Sequence, residues 1–223
     1  MKAVALLSGG MDSAVMVADL LAGGFDVEAL SFDYGQRHAL ELDAARAVAA
    51  HYGIAQRILK VALHELAPTS SQTNAEIAVP LGHYADESMR VTVVPNRNMV
   101  MLALAISRAI AADSRIVAYA CHQGDHAIYP DCRPRFVDAM REAARLCDYL
   151  PVQIVTPFLE MTKAQIASVG AALAVPFHLT YSCYQGKAKH CGECGTCVER
   201  REAFDLAGIS DPTEYLCRPV PAA

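Results

Sequence analysis

Short apolar runs alternate with stretches of helical period along most of this chain. Ala3-Val4-Ala5-Leu6-Leu7 is the first run, and Ala14 to Leu21 follows it with a helical pattern. Val27 to Phe32 reads as a second strand. A helix predicted from about 38 to 52 carries Leu40, Ala44, Ala47 and Val48 as an apolar stripe, and residues 56–61 read as a third strand. Residues 116–120 and 152–155 complete the set, preceded by helices predicted at about 99–111 and 135–146. Repeated strand–helix units imply a doubly wound, mainly parallel α/β sheet. Crossovers in such sheets are right-handed, and ligands bind beyond the carboxyl ends of the strands. That rule selects residues 8–13, 31–38, 121–133 and 156–163 as the loops that carry chemistry. Residues 68–89 break the alternation. They are polar and aperiodic, which marks a lid, an interface element or a disordered stretch.

Composition narrows the class. A chain of 223 residues suits one large α/β domain with a small appendage. The longest apolar run, Met99 to Ile106, is far short of a membrane span, and the brief run after Lys2 does not make a signal peptide. A cytoplasmic protein is expected. Eight cysteines in that setting read as metal or catalysis, not disulfides. A net charge of −5 lacks the basic balance of nucleic-acid binding. The expected partners are small molecules, with no nucleic acid and no membrane.

Ser8-Gly9-Gly10-Met11-Asp12-Ser13 sits between the first strand and the first helix. Backbone N–H groups at a helix start lack intrahelical partners, and the helix dipole favours an anion there. The glycines allow close approach, and Ser8 and Ser13 add hydroxyl donors. The Lys-Ser or Lys-Thr pair of the Walker-type phosphate loop is absent. Near the other end, Cys183, Cys191, Cys194 and Cys197 cluster, with Gly192 and Gly195 between them. Four thiolates match tetrahedral Zn²⁺ in a closed, structural shell. An iron–sulfur cluster takes the same ligands, a redox Cys-x2-Cys pair uses two of them, and His190 is an alternative ligand. The division expected is a nucleotide-binding domain over 1–176 and a zinc-binding tail over 177–223.

The Ser8–Ser13 string resembles the SGGxDS signature of the PP-loop ATP pyrophosphatases. Further strings narrow the resemblance: Ser31-Phe32-Asp33-Tyr34-Gly35-Gln36-Arg37-His38, Val94-Pro95-Asn96-Arg97-Asn98, Gly124 to Pro134, Thr156-Pro157 with Thr162-Lys163, and Ser182-Cys183-Tyr184 before the cysteine cluster. Together they resemble the 7-cyano-7-deazaguanine synthase family from about Lys2 to Asp211. The resemblance implies an adenine nucleotide α-hydrolase-like fold and an ATP-dependent ligase. It would convert 7-carboxy-7-deazaguanine and ammonia to the nitrile on the way to queuosine. ATP, Mg²⁺ and one structural Zn²⁺ are the implied cofactors, and a homodimer the implied assembly.

Within that frame the nucleotide is expected on Leu7, Ser8, Gly9, Gly10, Met11, Asp12, Ser13, Ala14, Val15, Met16 and Val17. Its adenine is expected along Ser31 to Asp33, contacted mainly through backbone. Ser8, Asp12, Ser13, Lys163 and Arg97 form the expected catalytic set. Asp12 is placed on Mg²⁺ or at the helix start, Lys163 on the phosphates, and Arg97 on phosphate or on the substrate carboxylate. Asp125 and Asp131 are expected to accept hydrogen bonds from the deazapurine N–H edge, with Tyr129 and Arg133 for stacking or charge. His38 and His126 are candidate proton handlers. A PP-loop enzyme that thiolates tRNA, or adds an amino acid to it, is the rival reading. A thiolase needs a reactive cysteine, for which Cys121 and Cys132 are the candidates. A non-enzymatic nucleotide-binding protein is a second rival.

Overall fold

The central strand β1 (Lys2–Leu6) pairs in parallel with β2 (Asp26–Asp33) on one side and β4 (Ile116–Ala118) on the other. With β3 (Ala55–Lys60) and β5 (Gln153–Val155) they form one parallel sheet in the order β3-β2-β1-β4-β5. The computed structural model describes residues 1–84 and 87–217. Seven α-helices are found among these: α1 (Met11–Ala22), α2 (Leu40–His51), α3 (Leu63–Leu66), α4 (Arg97–Ala111), α5 (Pro134–Arg145), α6 (Lys163–Ala172) and α7 (Gly195–Ala207).

Alternation along the strands makes two cores. Val4, Leu30, Phe32 and Val117 face α4 and α5. Ala5, Ala29 and Ala118 face α1, α2 and α6. Those three alanines are small, which lets α1 lie close to the sheet. The doubly wound parallel sheet read from the sequence is the observed fold. The winding reverses between β1 and β4, and at such a point a crevice opens beyond the strand ends.

Boundaries differ from the reading where the site needs them to. Helix α1 starts at Met11, so half of the Ser8–Ser13 string is its first turn. Strand β4 ends at Ala118, and the chain then turns into the crevice. Helix α4 starts at Arg97 because Asn96 takes a left-handed conformation, φ 60°. Helix α7 was not anticipated. It packs on α6, buries Phe204 in the α1-side core, and buries Arg200 completely. The Arg200 guanidinium donates to Phe177 O and Thr180 Oγ1 and pairs with Asp211. Residues 218–223, the end of the expected tail, lie outside the described residues.

Residues 68–89 form an anchored wall, apart from 85 and 86, which lie outside the described residues. Ser70, Ser71, Gln72 and Tyr84 are buried. The Arg37 N–H donates to Gln72 O, and its guanidinium to the carbonyls of Asn74 and Ile77. At the other end Leu81 bridges to Cys194, and the Gly82 N–H donates to Glu193 O. No helix among the described residues is long and apolar enough to cross a membrane.

Candidate active site

A cleft of about 220 Å³ opens at the β1–β4 switch point. Its floor at one end is the loop between β1 and α1. Gly9 there has φ +97°, and a Cβ would stand 2.0 Å from the Glu41 carbonyl oxygen. Only glycine fits. The Ser13 hydroxyl donates to Gly10 O at 3.0 Å and lies 3.1 Å from the Ser8 hydroxyl. The Ser13 proton is thus spent, so Ser8 is the donor between them. The N–H groups of Met11, Asp12 and Ser13 have no carbonyl one turn earlier and open toward the cleft end of α1. Leu7, Ser8, Gly10, Asp12 and Ser13 line the cleft. The side chains of Met11, Ala14, Val15, Met16 and Val17 do not. They are fully buried in the α1-side core, so of that stretch only the first amides are available to a ligand.

A chain of charges crosses the cleft beside this loop. Lys163 Nζ lies 3.1 Å from Asp12 Oδ2 and 2.7 Å from Glu199 Oε2. His122 Nδ1 accepts the Gly124 N–H, which leaves the proton on Nε2. That Nε2 lies 3.9 Å from Asp12 Oδ2 and 3.6 Å from Asp125 Oδ2. Burial alone would raise the Asp12 carboxyl, but the Lys163 ammonium, aided by the His122 ring, outweighs it and holds it below its usual range. Burial works against the Lys163 ammonium, yet Asp12 and Glu199 together raise it well above an ordinary lysine. Glu199 is itself raised, because burial there exceeds the attraction of Lys163.

A carboxyl depressed on folding contributes stability above its unfolded value, lost as pH falls through the folded one. An ammonium raised on folding contributes below its unfolded value, lost only as pH rises through the folded one. The Asp12–Lys163 pair should therefore stabilise the fold evenly between about pH 5 and 9 and weaken only as pH falls below about 4 toward the depressed Asp12 value. The gap in melting temperature between wild type and Asp12→Asn should begin to narrow as pH drops from about 4 toward 3. A constant gap down to that pH would contradict the pairing.

The far end of the cleft is aromatic. Tyr34, Tyr84, Tyr129 and Tyr184 line it, with Leu30, Phe32 and Met101 as the apolar wall. The hydroxyls of Thr92, Tyr129 and Tyr184 form a chain at 2.8 and 3.1 Å. Arg97, the first residue of α4, reaches in among them. Its guanidinium lies 5.9 Å from the Tyr34 ring centre, and among the described residues its one hydrogen-bond partner is the Tyr34 hydroxyl at 3.4 Å. It pairs with no carboxylate within 4.0 Å among the described residues.

The second-strand and substrate loops are only partly as anticipated. Ser31 and Asp33 do not line the cleft. Ser31 Oγ donates to Leu7 O and accepts from Gln56, and Asp33 Oδ1 accepts from the Gly35 N–H. Alternation turns them opposite to Leu30 and Phe32, leaving only their backbone toward the cleft side. Asp125 does line it, with Oδ1 accepting from Tyr84 Oη and Oδ2 from the His122 N–H. Asp131 and Arg133 are not brought to it. Asp131 Oδ2 accepts the Asn98 N–H and serves the start of α4, whose cap residue Asn96 makes no side-chain cap. Arg133 is exposed and donates to the His126 carbonyl. His38 lines the cleft with Nε2 3.1 Å from Glu41, whereas His126 does not. His122, Glu199 and Tyr84 were missed. His122 stands at the end of β4, inside a loop the strand-end rule had selected. Glu199 and Tyr84 came from segments read as metal tail and aperiodic loop.

The four tail cysteines are all buried, with their sulfurs within 4.8 Å of one another. The Cys191 N–H donates to Cys183 Sγ, and the Cys194 and Glu193 N–H groups donate to Cys191 Sγ, at 3.2 to 3.4 Å. Amides aimed at the Cys183 and Cys191 sulfurs favour thiolates there, and the four clustered sulfurs fit one metal ion. Gly192 makes the turn: its φ is +87°, and a Cβ would collide with Cys217 O. His190 is not a member of this cluster. Its Nε2 accepts the Ser182 N–H at 3.0 Å between the rings of Tyr181 and Tyr215, and burial pushes it down to about 4.

The family described as queuosine biosynthesis protein QueC matches residues 2–208. The chain belongs to the QueC family. It is 51% identical over 216 residues to the 7-cyano-7-deazaguanine synthase of Methanoregula boonei, covering 96% of this chain and 99% of that one. It is 49% identical over 215 residues to the synthase of the same name from Hahella chejuensis, covering 96% and 93%. A 4-thiouridine synthetase solved with RNA and bound ATP shares the fold, with TM-score 0.51 and 16% identity over 93% of this chain and 50% of that one. QueC family membership thus accounts for the strings along the chain, while that last likeness shows architecture alone.

Proposed function

We propose that the chain is an ATP-dependent ligase that makes 7-cyano-7-deazaguanine from 7-carboxy-7-deazaguanine and ammonia for queuosine biosynthesis. One observation carries this reading beside the family: a phosphate-accepting helix start and a half-buried arginine, with no carboxylate within 4.0 Å among the described residues, share a single cleft. The first suits a nucleotide. The second suits a carboxylate, which Arg97 would hold by two parallel N–H donors. The Leu30–Phe32–Met101 wall offers flat apolar surface for a ring, and the tyrosines offer hydroxyls and stacking faces.

In the first stage the carboxylate oxygen attacks the α-phosphorus and pyrophosphate departs. Charge grows on the phosphates, where the Asp12 and Ser13 amides and Lys163 would supply donors, and the Ser8 hydroxyl would join them by turning its proton from Ser13. Ammonia then displaces AMP and leaves the amide, releasing one proton. In the second stage the amide oxygen is adenylated. Loss of AMP with both amide protons leaves the nitrile. Asp12 Oδ1 is buried without a hydrogen-bond partner among the described residues, which fits an oxygen ligand of Mg²⁺. Mg²⁺ there would neutralise phosphate charge. The four cysteines fit structural Zn²⁺. Small-molecule substrates without nucleic acid, a cytoplasmic setting and a homodimer accompany this reading, and the mass by light scattering tests the last.

The thiolating rival gains no support. Cys121 and Cys132 line the cleft, but burial pushes the Cys121 thiol up to about 12 and Cys132 well up, away from a reactive thiolate.

Incubation with ATP, Mg²⁺, ammonium and the deazapurine acid should yield the nitrile and two AMP per product by mass and AMP release. Neither amide nor nitrile would overturn the reading. Pyrophosphate exchange that needs tRNA instead of the acid would favour the rival. For the metal, elemental analysis should find one zinc per chain. Cys194→Ser should lose it and melt about 10 °C lower, since Cys194 also begins α7. Iron with a visible charge-transfer band would sink the zinc assignment.

A further inference from the structure

The segment that carries the cysteines also builds the back of the nucleotide loop, at two separate points. Two residues before Cys183, the Tyr181 N–H donates to the Gly9 carbonyl at 2.9 Å. Two residues after Cys197, Glu199 holds Lys163, which reaches Asp12. Neither contact is needed to close a metal shell. Helix α6 begins at Lys163 and α7 at Gly195, with Cys194 at the cap of α7 and Cys197 in its first turn. Two of the four ligands thus ride on the helix that grips Lys163. The other Glu199 oxygen stands over Gly124, where a Cβ would come within 3.0 Å of it. Glu199 therefore spans from the phosphate end to the loop after β4.

We propose that Glu199 is a positioning residue that holds the Lys163 ammonium at the nucleotide loop and so links nucleotide binding to metal retention at the cysteine centre. The inference rests on the proposed reading of that loop as the nucleotide site. Lys163 has three N–H donors. When a phosphate replaces Asp12 as its partner, Glu199 keeps the ammonium in place, and the phosphate acquires a hold on α7. A ligand that stabilises this arrangement stabilises the helix bearing Cys194 and Cys197, and linkage makes the effect mutual. A staple without this tie would release metal at one rate whether or not nucleotide is bound.

The test uses the full chain loaded with zinc, with release followed by a chromogenic chelator. Without nucleotide, Lys163→Ala and Glu199→Ala should each speed release about threefold, and the double variant no more than either, because both remove one tether. With Mg²⁺ and α,β-methylene-ATP, wild-type release should slow about threefold. Glu199→Ala should lose that response, and Glu199→Gln, which keeps an acceptor, should retain part of it. Additive single effects, or equal slowing in wild type and Glu199→Ala, would overturn the proposal. Failure of the wild type to bind the analogue by calorimetry would sink the nucleotide reading instead, and the nucleotide-free cycle then decides the role of Glu199.

Discussion

Gly9→Ala should lower the melting temperature by about 10 °C or more, while Gly10→Ala should fold nearly normally. The two neighbours differ in what surrounds them. Gly9 sits at φ +97°, and its Cβ would meet Glu41 O at 2.0 Å and Ala45 N at 2.9 Å. Those are backbone atoms of α2, which cannot rotate away. Either α2 shifts off the sheet or the loop after β1 opens. Strain of that conformation and the clash together amount to ~3–5 kcal/mol. Gly10 has φ −75°, and its Cβ would meet nothing closer than Ser8 Oγ at 3.5 Å. Thermal melts of both variants separate the positions. Nucleotide affinity should suffer in both, since an added methyl at residue 10 stands where a phosphate would approach. A Gly9→Ala variant melting within 2 °C of wild type would show that the loop is not clamped by α2 as described.

Arg97→Ala should reduce kcat/KM for the deazapurine acid about a thousandfold, ~4 kcal/mol of transition-state stabilisation, with no loss of thermal stability. Most buried arginines are costly to remove because a carboxylate is left alone. Arg97, half-buried, has no such partner within 4.0 Å among the described residues, only the Tyr34 hydroxyl at 3.4 Å. Its desolvation is a standing cost that the substrate carboxylate would offset. Truncation should leave the melting temperature unchanged or raised. Arg97→Lys should remain poor, because one ammonium cannot reproduce the two-pronged geometry. Loss of stability with activity retained would reverse the assignment and make Arg97 a structural residue.

What the chain disclosed unaided divides by range. Runs such as Ala3–Leu7 and Val27–Phe32 are buried on both faces apart from Leu6 and Glu28, which are half-buried, so they stand out as largely apolar blocks. The Ser8–Ser13 string and the four cysteines are local constellations whose chemistry is carried by spacing. Ser31 and Asp33 show where local reading stops. Period two says that they oppose Leu30 and Phe32, but only the winding of β4 against β1 decides which side faces the cleft. Asp131 looked as free as Asp125, yet a left-handed Asn96 leaves the start of α4 without its own cap, and Asp131 fills that need. Glu199 left no signal at all. Its role exists only because α7 folds back across α6, a contact between residues 36 positions apart.

The Tyr181–Gly9 hydrogen bond and the grip of α7 on Lys163 have a consequence for the order of assembly. Strands β1, β2 and β3 are neighbours in the sheet and in the chain, so this half can form early, with the glycine turn already pressed against α2. The back of the same turn arrives only when nearly the whole chain has been synthesised. A ribosome-bound intermediate would own a shaped anion turn with no cation beside it, and ATP would find no competent pocket until the cysteine segment had docked.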